Sequence, residues 1–221
     1  MKTADIRVTL IDHMGSDLSV VNAARVSFDK ESVWGVSASM SKVLVNEDIR
    51  LIKYLAKHNH TSPFNHAFVT FRVKAPIFVA RQLVKHKFMP WNETSRRYVD
   101  SEPEFFFPTV WRRRADNVKQ GSSEEDAEVN QDWIKKQVKF QLSAYEALLD
   151  DGVCPEQARM VLPQNMMTEW IWSGSLGAVA DMCKLRLDPH SQEESRQVAR
   201  CIANEMSKLY PVSWNALVEG L

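Results

Sequence analysis

Several devices that mark common functional classes are scarce or missing in this chain. No apolar run approaches the roughly twenty residues of a membrane-spanning helix, and the opening residues lack a basic-then-apolar export signal. The protein is therefore expected in the cytoplasm. Cysteine is rare: Cys154, Cys183 and Cys201 form no Cys-x-x-Cys spacing. An odd, scattered set excludes a disulfide framework and a structural zinc site, and reads as buried thiols in a reducing compartment. Cys154 precedes Pro155 at an expected helix start, where a thiolate would be stabilised, but a structural thiol is the better reading. Glycine is sparse as well, at positions 15, 35, 121, 152, 174, 177 and 220. These glycines compose neither Gly-x-Gly-x-x-Gly nor a phosphate loop, so a dinucleotide would not be held by a Rossmann fold. Charge of one sign is lacking too, because 28 basic and 28 acidic residues cancel. That balance argues against a dedicated nucleic-acid binder and against a membrane-surface protein.

What is present suffices for one domain with a real core, since 44% of the 221 residues are hydrophobic and 25% charged. Asp5 to Ile11 reads as a strand and Leu18 to Phe28 as a helix capped by Asp17. Asn46 is the expected cap of a helix over Asp48 to His58, with Ile49, Ile52 and Leu55 spaced for burial. His66 to Lys74 alternates Ala67, Val69, Phe71 and Val73 against Phe68, Thr70, Arg72 and Lys74, the period of a half-buried strand. Pro76 suits the first turn of the next helix. A long amphipathic helix follows from Trp133 to Leu149, closed by Gly152. Further helices are expected over Pro155 to Leu162, Leu176 to Leu187 and Glu193 to Leu209. The segment 112–129 swings from Arg112-Arg113-Arg114 to Glu124-Glu125-Asp126 and contains Gly121-Ser122-Ser123, which predicts a mobile, exposed insertion. The pattern gives one α/β (α+β) domain, a mixed, mostly antiparallel sheet with packed helices.

The chemistry concentrates between Arg81 and Tyr98. On a continuing helix Gln82 would share a face with Lys85 and His86, a grip for a phosphate or a heterocycle. The loop beyond adds a carboxylate in Glu93, a hydroxyl in Ser95 and a guanidinium in Arg97, groups suited to an anionic, hydrogen-bonding ligand. Read without context, the same run is equally a solvated helix end. His58 and His60 are spaced as alternating strand histidines, with His66 poorly placed as a third, but no carboxylate or thiol lies near enough in sequence to complete a metal site, and none is expected.

The order of these residues resembles the flavin-dependent thymidylate synthases. That family carries Arg-His-Arg, seven residues and a serine, within Asn-Glu-x-Ser-x-Arg-Tyr. Here Lys85-His86-Lys87, the residues Phe88 to Thr94, and Ser95 follow that spacing, with Asn92, Glu93, Arg97 and Tyr98 in register. The likeness extends to Ala23-Ala24-Arg25-Val26-Ser27-Phe28, His60-Thr61-Ser62-Pro63-Phe64, Ala75 to Gln82, Gly152 to Pro163, and Leu185 to Glu194. The resemblance implies reductive methylation of dUMP to dTMP, with 5,10-methylenetetrahydrofolate as carbon donor and NADPH-reduced FAD as hydride donor, in a homotetramer with active sites between subunits. It also implies chemistry without the cysteine nucleophile that other thymidylate synthases carry in a Pro-Cys-His context.

Carried over residue by residue, the resemblance makes Arg186 catalytic, stabilising negative charge on the pyrimidine; the alternative is a helix-end arginine answering the helix dipole. It assigns Gln82, Lys85, Glu93, Ser95, Arg96, Arg97, Arg159 and Arg186 to dUMP. It assigns Ser62, Lys85, His86, Lys87, Glu93, Asp181 and His190 to FAD, and places His60 near flavin and folate. Departures are the lysines at 85 and 87, which keep charge but lose the planar fork, Asn65 for a frequent glutamate, Asp181 for a frequent asparagine, Arg96 for a common glycine, and Ser175 and Gly177 where asparagine and arginine are common. Two alternatives are a nucleotide- or RNA-binding module that stacks bases on Trp91 and Tyr98, and a flavoprotein that oxidises NADPH without methyl transfer.

Overall fold

A computed structural model describes residues 1–116 and 121–219. Its centre is an antiparallel sheet of four strands, β1 (Arg7–Met14), β2 (Phe68–Pro76), β3 (Trp91–Glu93) and β4 (Met167–Ser175), in the spatial order β1-β2-β4-β3. β2 is buried at alternate positions as its period requires, with Val69, Phe71 and Val73 on the inner face. β4 answers it in register, Trp170 opposite Val73 and Trp172 opposite Phe71. On the outer face Thr70 and Ser173 share a hydrogen bond of 3.0 Å. Among the described residues parallel pairing is confined to Lys2–Thr3 against Glu104–Phe105, a separate two-stranded sheet, so the α+β class is as expected but the main sheet is wholly antiparallel rather than mixed.

Six longer helices surround the sheet: α1 (Asp17–Arg25), α2 (Asn46–Lys57), α3 (Ile77–Leu83), α4 (Gln131–Asp150), α5 (Leu176–Leu187) and α6 (Glu193–Leu209). α5 and α6 have the bounds read from sequence, and both bury an apolar stripe on the sheet through Val179, Met182, Val198 and Ile202. α4 forms a second apolar cluster with Phe105, Ala158 and Met166. Among the described residues no helix is long and apolar enough to cross a membrane.

Several local expectations are corrected. Asp17 does not cap α1, because Ser16 holds the cap position and its N–H donates to Ser19 Oγ at 3.0 Å. Asp17 is instead buried and accepts the N–H groups of Val212 and Ser213 at 3.0 and 2.8 Å, capping the Pro211–Trp214 turn. Asn46 is the first residue of α2, and Val45 occupies its cap. Cys154 and Cys201 are exposed, and only Cys183 is a buried thiol. Arg112 to Arg114 is not an exposed loop: it pairs with Ser122–Asp126 as a hairpin, and Arg112 grips both oxygens of buried Glu194 at 2.9 Å. Of the expected insertion at 112–129, residues 117–120 lie outside the described ones.

Candidate active site

Chain direction changes sharply where the chemistry is concentrated. α3 ends at Leu83, with Val84 at its C-cap, so Lys85-His86-Lys87 lies in a turn rather than on a helix. The shared face expected for Gln82, Lys85 and His86 is therefore not formed. Lys85 and Lys87 are exposed, whereas His86 folds back and is half-buried. Phe88 then takes a left-handed φ of 61° and stays 84% exposed. A bulky residue held in that region stores strain, a feature concentrated at functional sites.

What brings His86 inward is Arg186, in the last turn of α5. Its Nε donates to His86 Nε2 and an NH2 hydrogen to the Gln82 carbonyl, both at 2.9 Å. The Gln82 side chain is itself held, its Nε2 donating to Gln192 and its Oε1 accepting from Ser195 Oγ at 3.2 Å. Gln192 and Ser195, which sequence reasoning missed, thus hold the side chain of the residue whose backbone carbonyl accepts from Arg186. Burial, followed by the charge of Arg186, lowers the His86 pKa from 6.5 to about 4. The ring is neutral at ordinary pH and can only accept at Nε2. Burial also lowers the Arg186 pKa. No carboxylate among the described residues forms an ion pair with Arg186. Two of its five N–H groups are used, so a half-buried cation presents its remaining donors without a counter-ion.

Other assigned residues form separate groups. Glu93 on β3 accepts from Trp91 Nε1 at 3.0 Å and Thr168 Oγ1 at 2.7 Å. Ser95 Oγ accepts from Arg97 N and Nε at 3.3 and 3.2 Å. Arg97 lies 5.0 Å from the Tyr98 ring centroid. Arg96 bonds the Ser101 carbonyl, and exposed Arg159 donates to Glu156 O at 3.2 Å. No hydrogen bond joins Ser95, Arg96, Arg97 or Arg159 to the Arg186 cluster. His190 is exposed and bonded to Asp188 at 3.0 Å. Trp91 is no free stacking platform, since Trp170 covers it at 4.2 Å between ring centroids.

A cleft of about 390 Å³ opens beside Phe88. Leu55, Ala56, Phe64, Ala178 and Leu217 make its apolar lining, and His60, Thr61, Asn65, Ser175, Asp181 and Lys184 its polar edge. His60 and His58 are not on a strand; His58 caps α2 and packs against Tyr54 in a tilted pair with ring centroids 4.3 Å apart. Ser62 starts the adjoining 3-10 turn over Ser62–His66. An apolar slot with donors and acceptors at its rim suits a planar heterocycle. The exposed cations of Lys85 and Lys87, just before Phe88, suit an attached pyrophosphate. The residues present therefore fit a flavin dinucleotide.

Comparison with known proteins agrees with this chemistry. A family model described as thymidylate synthase complementing protein matches residues 9–212. The flavin-dependent thymidylate synthase of Thermus thermophilus is 42% identical over 217 residues, covering 97% of this chain and 76% of that protein. That of Pseudothermotoga lettingae is 35% identical over 213 residues, covering 96% and 89%. A solved structure of the UMP/dUMP methylase PolB from Streptomyces cacaoi, bound with 5-Br dUMP, superposes with a TM-score of 0.83 at 30% identity, covering 98% and 96%.

Proposed function

The chain belongs to the thymidylate synthase complementing protein family, and from that premise we infer that it is an FAD-dependent thymidylate synthase, methylating dUMP reductively to dTMP. Bound FAD, reduced by NADPH, supplies the hydride, and 5,10-methylenetetrahydrofolate supplies the carbon. The observation that carries the reading is Arg186, a half-buried guanidinium held by a neutral imidazole and a carbonyl with donors left over. Such a cation is poised for negative charge developing on a uracil ring. A carboxylate in the place of His86 would have cancelled it. His86 and the Gln82 carbonyl orient Arg186 without neutralising it, and Gln192 and Ser195 orient Gln82.

For dUMP we assign Arg186, Gln82, Lys85, Glu93, Ser95, Arg96, Arg97 and Arg159, the arginines supplying forked donors for phosphate and sugar oxygens. For FAD we assign Ser62, Lys85, His86, Lys87, Glu93, Asp181 and His190, with His60 at the rim of the cleft. Ser95, Arg97 and Arg159 share no hydrogen bond with the Arg186 cluster among the described residues, which is in keeping with a homotetramer in which different subunits complete one site. We place this enzyme in the cytoplasm, where its folate and nicotinamide substrates are made.

The test is a visible spectrum of the purified protein with FAD, followed anaerobically through addition of NADPH, methylenetetrahydrofolate and dUMP, with dTMP assayed at the end. Bleaching by NADPH, and reoxidation only when dUMP and folate are both present, is the expected course. Absence of FAD binding even at excess flavin would sink the reading.

A further inference from the structure

We infer that Asn65 is a specificity-determining residue of the cleft, and that Ser175 and Gly177 hold its amide in one orientation. This rests on the flavin reading above. Ser175 ends β4 and caps α5: its Oγ accepts the Ala178 N–H at 3.2 Å and donates its single proton to Asn65 Oδ1 at 2.6 Å. By giving its proton to Oδ1, the Ser175 hydroxyl turns the amide oxygen toward itself. The amide nitrogen, with two N–H donors, has no hydrogen-bond partner among the described residues, and Asn65 lines the cleft.

Position 177 is what permits this arrangement. A Cβ there would lie 2.9 Å from Asn65 Oδ1, inside the distance at which such atoms coexist. The exposed Asn65 side chain would swing away and surrender its bond to Ser175. Glycine is used here for its missing side chain, since no left-handed φ is required of it. One turn along α5, on the same face, Asp181 presents a carboxylate acceptor to the same cleft. Amide donors together with a carboxylate acceptor read a heterocycle edge that pairs a ring acceptor with an N–H donor. Both the adenine and the pyrimidinedione ring of a flavin dinucleotide carry such an edge.

The experiment titrates the full chain with FAD and with FMN by flavin fluorescence, alongside thermal melting. Gly177→Ala is expected to keep or raise the Tm, because alanine is the better helix former. The same change is expected to weaken FAD about three- to tenfold, the worth of one hydrogen bond. Asn65→Ala shows a similar loss, and Gly177→Ala added to Asn65→Ala costs nothing more, there being no amide left to displace. Weakening of FAD alone assigns the edge to adenine, and equal weakening of FMN assigns it to the flavin ring. Unchanged FAD affinity in Gly177→Ala, or additive losses in the double variant, overturns the inference while leaving the flavin reading intact. Failure of the unaltered chain to bind FAD removes both.

Discussion

Two arginines of this protein sit in similar half-shelter and have opposite surroundings. Arg25, ending α1, donates Nε and NH2 to Asp48 Oδ1 at 3.1 and 2.7 Å and reaches Glu47 at 3.2 Å, while Ser32 Oγ gives Asp48 a further bond at 2.9 Å. Asp48 is fully buried, and its bond is the first cause of the raised Arg25 pKa. Arg186 meets only a neutral ring and a carbonyl, and its pKa is lowered by burial. The first arginine is neutralised by carboxylates and acts within the fold. The second keeps its field for something that arrives from outside. The identity of the acceptor, more than the depth of burial, separates the structural cation from the one we propose as catalytic.

The sharpest way to break that contrast is to remove each half in turn. Arg186→Ala should lower kcat by about a hundred- to a thousandfold, the loss expected when a positioned donor to developing charge is deleted. FAD should remain bound, as followed by flavin absorbance, and undiminished dTMP formation would refute the role. Asp48→Ala should instead destabilise the fold by about 3 kcal/mol, because it leaves Arg25 with only the exposed Glu47 as partner and takes the acceptor from Ser32. Chemical denaturation measures that loss, and turnover per folded molecule should stay near that of the parent.

A smaller effect concerns His86. Its pKa falls from 6.5 to about 4 on folding, so between those values the unfolded chain binds more protons than the folded one. Stability from this group is therefore complete above pH 6.5 and declines as pH falls to about 4. His86→Asn, whose side-chain oxygen can still accept from Arg186, should flatten that part of the melting profile. An unaltered slope would mean that the proton is taken up elsewhere.

Much of the fold was legible because burial imposes a period. The stripes of α5 and α6 give the bounds observed, while the alternation of β2 gives its strand two residues early, His66 to Lys74 against Phe68–Pro76, so that Pro76 ends the strand and caps α3 rather than opening its first turn. β4 escaped detection although Trp170 and Trp172 alternate as a strand should and a turn containing Pro163 and Asn165 precedes its start. Local rules failed where a distant group made the stronger demand. Asp17 has the chemistry of a cap but serves backbone from another part of the chain. The helix expected to carry His86 stops short, and the ring turns to accept from Arg186, a hundred positions away. Motif order supplied the names of Arg186, Gln82, His86 and Asp181. It could not supply Gln192, Ser195 or the bond between Ser175 and Asn65, which exist only once separate elements have met.

The bond from Asp17 to the Pro211–Trp214 turn has a consequence in time. Its partners are 195 and 196 positions apart, and Tyr210 adds bonds to the carbonyls of Met14 and Phe68 from the same stretch. During synthesis, an acid that must end up dry waits in water until almost all of this chain has left the ribosome. The first helix cannot lock early, and folding rates of such distant closures are slow. The stretch around Pro211–Trp214 thus completes the surroundings of the first helix.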